Sequence, residues 1–106
     1  MDEKTLALDL MEKGTNLCRF LSLEKSESLI SKRLFDAICT LCESCYSFKN
    51  PTLAKAELSN LRKACSLDCD KINLYLELLC SSGYISIAQK DSILKTLDAL
   101  KKETNI

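Results

Sequence analysis

Three cysteines, Cys39, Cys42 and Cys45, stand in the stretch C-T-L-C-E-S-C, and their type and spacing could bind a metal. Some iron–sulfur proteins begin their cluster loop with cysteines at this spacing. On a helix, however, positions i, i+3 and i+6 spread over about 120° of the circumference. Cluster loops leave helical geometry with the help of Gly or Pro, and neither occurs in residues 15–50. The spacing therefore favours cysteine as a small apolar residue at helix interfaces.

Other residue types that enzymes and metal sites use are sparse. The chain has no histidine, which excludes Ser-His-Asp and Cys-His catalysis and the Glu-x-x-His motif of di-metal bundles. It also has no glycine-rich phosphate loop. The sequence thus predicts a protein that is not an enzyme and that binds no cofactor. A fourth thiolate from Cys65 or Cys69 would keep a cysteine-ligated metal or redox protein as an alternative.

Composition and charge limit the fold and function classes to which the protein can belong. The 106 residues fit a single domain, residues 1–106, and 46% hydrophobic residues with two Gly and one Pro favour a helical protein. Fifteen basic and fifteen acidic side chains cancel, so any nucleic-acid binding must rest on local patches. No signal peptide and no apolar run of about 20 residues is present, which predicts no membrane association. Seven cysteines without a secretory signal predict a cytoplasmic protein.

Apolar periodicity predicts the elements that position these residues, namely four helices over about residues 3–22, 26–48, 52–81 and 87–103. Gly83 suits the end of the third helix, and Ser86 with Gln89 fits a capping box that opens the fourth. Short connections make successive helices antiparallel. The predicted fold is all-α, an up-down-up-down four-helix bundle.

The third helix carries two apolar rows. The first is the predicted core stripe and consists of Leu58, Leu61, Cys65, Ile72, Leu76 and Leu79. The second, here called the outer leucine row, lies on nearly the opposite side and consists of Leu67, Leu74 and Leu78. Fully burying one leucine contributes roughly 1.5–3 kcal/mol, so leaving the three leucines exposed to water is unfavourable. Either neighbouring helices of the same chain cover this row, or the protein forms an oligomer or binds a partner through it.

Helix 2 has a similarly wide apolar arc. Its arc extends beyond the core stripe through Phe35, Cys39, Cys42 and Tyr46. Together with the outer leucine row, these side chains are predicted to form an oligomer or partner interface. The cysteine stretch would then be part of that interface.

Three segments in this order resemble a known family. They are L29-I-S-K-R-L-F-D-A-I-C, L58-S-N-L-R-K-A and G83-Y-I-S. The order resembles the four-helix-bundle family of 23S rRNA intervening-sequence proteins and of the accessory variability determinants of diversity-generating retroelements. The resemblance implies a ring-shaped homopentamer without catalytic activity. In the retroelement branch it also implies association with a reverse transcriptase and with nucleic acid.

Basic side chains gather near the starts of helices 2 and 3. The candidate RNA-contacting residues are Lys32, Arg33, Lys49, Lys55, Arg62 and Lys63. They form either a solvated face or a phosphate-contacting patch that the symmetry of a ring would multiply. The leading hypothesis is a non-enzymatic oligomeric adaptor accessory to a reverse transcriptase and its RNA. The alternative within the family is a self-assembling bundle of the intervening-sequence type without a polymerase partner.

Overall fold

The computed structural model describes residues 2–25, 29–48 and 52–106, in which the chain forms four α-helices. These are α1 (Glu3–Phe20), α2 (Leu29–Ser47), α3 (Lys55–Ser81) and α4 (Ile87–Thr104), and α1 continues directly into a π-helical turn, Leu21–Lys25. Neighbouring helices run in opposite directions, so the chain forms an antiparallel four-helix bundle. The bundle measures 44 × 24 × 19 Å. The predicted fold class is therefore confirmed for the single chain.

The helices begin and end at residues with the expected capping chemistry. The Asp2 carboxylate accepts a hydrogen bond from the Thr5 N–H at 2.8 Å at the start of α1. Ser86 and Gln89 form the predicted reciprocal capping box at the start of α4. After α3, Gly83 takes a left-handed φ of 82°, and the Tyr84 N–H donates to the Leu79 carbonyl at 2.9 Å. Each of these bonds satisfies a backbone or side-chain group at a helix end.

Two predicted boundaries differ from the structure. The third helix begins at Lys55 rather than near residue 52, because Ala54 has extended backbone geometry with ψ 160°. The predicted start of helix 2 near residue 26 lies outside the described residues, and α2 is described from Leu29 onward. In the part of the chain that is described, no helix has the length and apolar character needed to cross a membrane.

The core lies where all four helices meet, and α1 packs closely on α2 at Gly14. An added Cβ at Gly14 would stand 2.8 Å from the Ile38 Cδ1 atom. Leu10, Leu34, Leu41 and Leu97 are among the fully buried side chains around this contact. The glycine therefore allows a close helix–helix approach that a larger residue would disturb.

Candidate functional site

The outer leucine row is exposed along α3. Leu67, Leu74 and Leu78 retain 62%, 63% and 44% of their accessible surface, respectively. On the opposite side of the helix, Ile72 and Leu76 are fully buried in the core. The structure confirms the two rows, and the alternative in which helices of the same chain cover the outer row is wrong.

The rest of the predicted core stripe is buried less evenly. Leu58 and Leu61, near the start of α3, are only half-buried, whereas Cys65, Cys69 and Leu79 are buried. The stripe thus enters the core progressively along the helix.

Charged side chains of opposite sign flank the outer leucine row. On the side toward α2, Lys71 lines a cleft together with Arg33, and the carboxylates of Asp36 and Asp68 line the same cleft. On the side toward α4 lie Asp70 and Glu77, which are about two helical turns apart. The Glu77 carboxylate pairs with the Lys90 ammonium at 2.9 Å. The row is therefore an apolar ridge with carboxylates along its edge toward α4 and side chains of both signs along its edge toward α2.

The predicted interface residues of helix 2 do not join this ridge. Cys42 is fully buried, and its thiol donates to the Ala7 carbonyl at 3.4 Å, so it is a core residue and its assignment to an intermolecular surface is wrong. Phe35 and Cys39 are half-buried, and Tyr46 is 46% exposed. They point to the α1 side of α2, away from α3, because helical spacing places them next to Cys42 rather than to the α3-facing flank.

The candidate RNA-contacting residues fall into two groups rather than one patch. Arg33 lines a cleft with Tyr75, whereas Arg62 lies thirteen residues earlier on the same helix as Tyr75. At a helix rise of 1.5 Å per residue, Arg62 lies about 20 Å along α3 from Tyr75, and therefore far from the cleft that holds Arg33. Lys32 is exposed near Arg33, and Lys55 and Lys63 are exposed near Arg62. Lys49 lies outside the described residues.

Arg62 has a structural role that the sequence did not reveal. Its Nη1 donates to the Thr104 carbonyl and to the Asn105 carbonyl, the latter at 3.1 Å. The guanidinium also lies 5.0 Å from the centre of the Phe48 ring. Arg62 therefore joins the C-terminal end of α4 to the start of α3 through its Nη1.

The cysteines behave as small apolar residues. Cys42, Cys45, Cys65 and Cys69 are buried, and all seven cysteines are free thiols. Burial raises the pKa of Cys42 and Cys45 to about 12 and that of Cys69 to about 11, which disfavours the thiolate that binds metals. Within residues 2–25, 29–48 and 52–106, no group of three or more cysteine or carboxylate side chains is arranged to hold a metal ion.

An apolar groove of about 410 Å³ separates the end of α1 from the start of α4. The sequence does not predict this groove, because apolar periodicity does not show which helices become neighbours. The groove, here called the α1–α4 groove, is lined by Lys13, Asn16, Leu17, Phe20, Ala88, Gln89, Ser92 and Ile93. Next to it along the chain, Leu23 and Ile87 are 75% and 67% exposed.

Comparison with solved structures identifies the same fold elsewhere. A crystal structure of a protein of unknown function from the S23 ribosomal protein family, from Bacteroides thetaiotaomicron, matches this chain with a TM-score of 0.86 and 22% sequence identity. The match covers 96% of this chain and 94% of that chain. No family model and no curated protein matches the sequence. At this identity the likeness shows a shared four-helix-bundle fold.

Proposed function

We propose that this protein is a non-enzymatic, self-assembling four-helix-bundle adaptor. The exposed outer leucine row carries the proposal, since Leu67, Leu74 and Leu78 keep 44–63% of their surface accessible in one chain. Burying each of them fully would contribute roughly 1.5–3 kcal/mol, and contiguous exposed apolar surface usually marks an interaction site. The different charge distributions along its two edges would give such a contact a defined orientation.

In its finer form, the proposal is a homo-oligomeric ring of five chains that accompanies a reverse transcriptase and its RNA in the cytoplasm. The order of features quoted above supports this form, together with the fold shared with the S23-family protein. Lys32, Arg33, Lys55 and Lys63 are exposed and are the candidate phosphate contacts. The alternative is self-assembly of the intervening-sequence type without a polymerase partner. Mass spectrometry of proteins captured with the tagged chain from its native cell separates the two by the presence or absence of a reverse transcriptase.

Sedimentation of Leu74→Glu tests the self-assembly. We expect the wild type to sediment as an oligomer of the 11.9 kDa chain and Leu74→Glu to form a smaller, fully helical species. The carboxylate can remain hydrated at this exposed position, so the fold should be retained. Leu8→Glu is the matched control, because Leu8 is 52% exposed on α1, and it should leave the oligomer unchanged. A wild-type protein that is monomeric at every concentration, also together with its partner, would refute the proposal.

A further inference from the structure

We infer that a polar cleft between α2 and α3 binds a small zwitterion of the α-amino-acid class through the buried Asp68 carboxylate. This cleft, here called the α2–α3 cleft, has a volume of about 270 Å³. Clefts for drug-sized ligands are about 300–1,000 Å³, so this cleft suits a smaller molecule. The site lies within one chain, and the inference is therefore independent of the self-assembly proposed above.

The state of Asp68 is the observation that points to a ligand. Asp68 is only 8% exposed, and within the described part of the chain its carboxylate forms no hydrogen bond and no ion pair. Every fully buried side-chain oxygen that the structure describes has a hydrogen-bond partner, so the unpaired Asp68 oxygens must reach the cleft that this residue lines. A buried carboxylate without a partner is unfavourable. An ammonium group bound in the cleft would supply the missing partner.

The surroundings of Asp68 suit a positively charged hydrogen-bond donor. Burial raises the pKa of the Asp68 carboxyl, and the nearby Lys71 ammonium offsets only part of this effect. A cation bound beside the carboxyl would favour its ionised form. The Thr40 hydroxyl, on the α2 side of the cleft, donates to the Asp36 carbonyl at 2.9 Å, so its oxygen can still accept a hydrogen bond. An ammonium group has three donors and can therefore bind Asp68 and Thr40 together.

The cations of the cleft select against a ligand that carries a single charge. Arg33 and Lys71 line the cleft alongside Asp36 and Asp68, and among the described residues neither cation forms an ion pair. A simple amine would be repelled by the two cations, and a simple acid would be repelled by the two carboxylates. Lys71 lies one helical turn from Asp68 on the same face of α3. A ligand whose ammonium and carboxylate groups share one carbon atom can therefore bind both residues.

The remaining lining residues indicate which side chain the ligand carries. Ala37 is buried and Tyr75 is half-buried, so both offer apolar surface to the cleft. An apolar side chain can pack against the Tyr75 ring, whereas an acidic or basic side chain would bring a further charge into the cleft. L-Leucine is therefore a suitable probe. Glycine, which has no side chain, should bind more weakly.

Calorimetric titration of the full chain with L-leucine tests the inference, and we expect saturable binding. Two analogues separate the contributions of the two charges. The first, 3-methylbutylamine, keeps the ammonium group and lacks the carboxylate, whereas 4-methylpentanoate keeps the carboxylate and lacks the ammonium group. Each analogue should bind about ten-fold more weakly than L-leucine or worse, because each loses a charged hydrogen bond. If 3-methylbutylamine binds as tightly as L-leucine, the assignment of a zwitterion is wrong.

Substitutions in α3 locate the site. Asp68→Asn removes the buried carboxylate at nearly constant volume and should weaken the binding of L-leucine about ten-fold or more. Asp70→Asn is the matched control, because it removes the same charge from an exposed position on the side toward α4 and should leave the affinity unchanged. Lys71→Gln, at an exposed position where the fold should be kept, should weaken the binding of L-leucine but not that of 3-methylbutylamine. An absence of saturable L-leucine binding, or equal affinities in Asp68→Asn, Lys71→Gln and Asp70→Asn, would overturn the inference.

Discussion

Arg62 offers a direct test of how the bundle is closed, because its guanidinium joins the start of α3 to the end of α4. It donates to the Thr104 and Asn105 carbonyls and stacks over the Phe48 ring at 5.0 Å. These are carbonyls of the last helical turn, which have no partner within the helix itself. Arg62→Gln shortens the side chain and removes the charge, so it should release the end of α4.

The expected loss can be worked from these contacts. A hydrogen bond from a charged group contributes about 1.5–3 kcal/mol when buried, and we take about 1 kcal/mol for each bond here because Arg62 is half-exposed. The cation–π contact adds about 0.5–1 kcal/mol. The variant should therefore lose about 2.5–3 kcal/mol of unfolding free energy, against a total of about 5–15 kcal/mol for a small domain. The midpoint of thermal unfolding should fall by roughly 10 °C.

Lys63→Gln is the matched control, since it removes the same charge one residue along at an exposed position. Urea unfolding followed by circular dichroism measures both variants, and hydrogen exchange at Ile106 reports on the end of α4, where its N–H donates to the Lys101 carbonyl. If the unfolding free energies of Arg62→Gln and Lys63→Gln differ by less than about 0.5 kcal/mol, a margin well below typical losses, the role of Arg62 in joining α3 to α4 is wrong.

In RNA-binding assays at varied salt, Lys63→Gln should lower affinity and flatten the salt dependence if the basic residues contact phosphate.

Three further expectations concern the core and a helix end. Burial raises the pKa of the Cys42 and Cys45 thiols to about 12 from an ordinary 9.0, so their contribution to stability is complete below pH 9 and is lost as the pH rises toward 12. Between pH 8 and pH 10, each thiol should lower the free energy of unfolding by roughly 1 kcal/mol. Equal urea midpoints at the two pH values would contradict this. Ser86→Ala removes the N-cap oxygen of α4 and should lower the free energy of unfolding by about 1 kcal/mol. An unchanged midpoint of thermal unfolding would show that the cap does not stabilise the fold. Gly14→Leu should destabilise by about 2 kcal/mol or more through Ile38, and an unchanged melting midpoint would argue against tight packing there.

The sequence predicted what a single helix determines. The two rows of α3 follow from the spacing of its leucines, and the box at Ser86 and Gln89 follows from local hydrogen bonding, so both are confirmed. A short range of residues contains all the information that these features need.

Features that depend on which helices become neighbours were missed or misassigned. The sequence predicts Cys42 at an interface, which is wrong, because its helical position alone does not show that α1 covers it. Arg62 was grouped with other cations because its acceptors lie 42 and 43 residues further along the chain. The sequence does not predict the α1–α4 groove for the same reason, since the two walls of the groove come from opposite ends of the sequence.

The pairing of α1 with α4 also has a kinetic consequence. The Lys13–Thr96 and Asp9–Thr96 hydrogen bonds join residues 83 and 87 positions apart, whereas the α1–α2 and α2–α3 pairs can each form as a local hairpin. Closing so long a loop is entropically more demanding than closing a hairpin, so the α1–α4 pair should form after the rate-limiting barrier to folding. Substitutions at Thr96 should therefore accelerate unfolding while leaving the refolding rate nearly unchanged. The lifetime of the folded chain would then be set where its first and last helices meet.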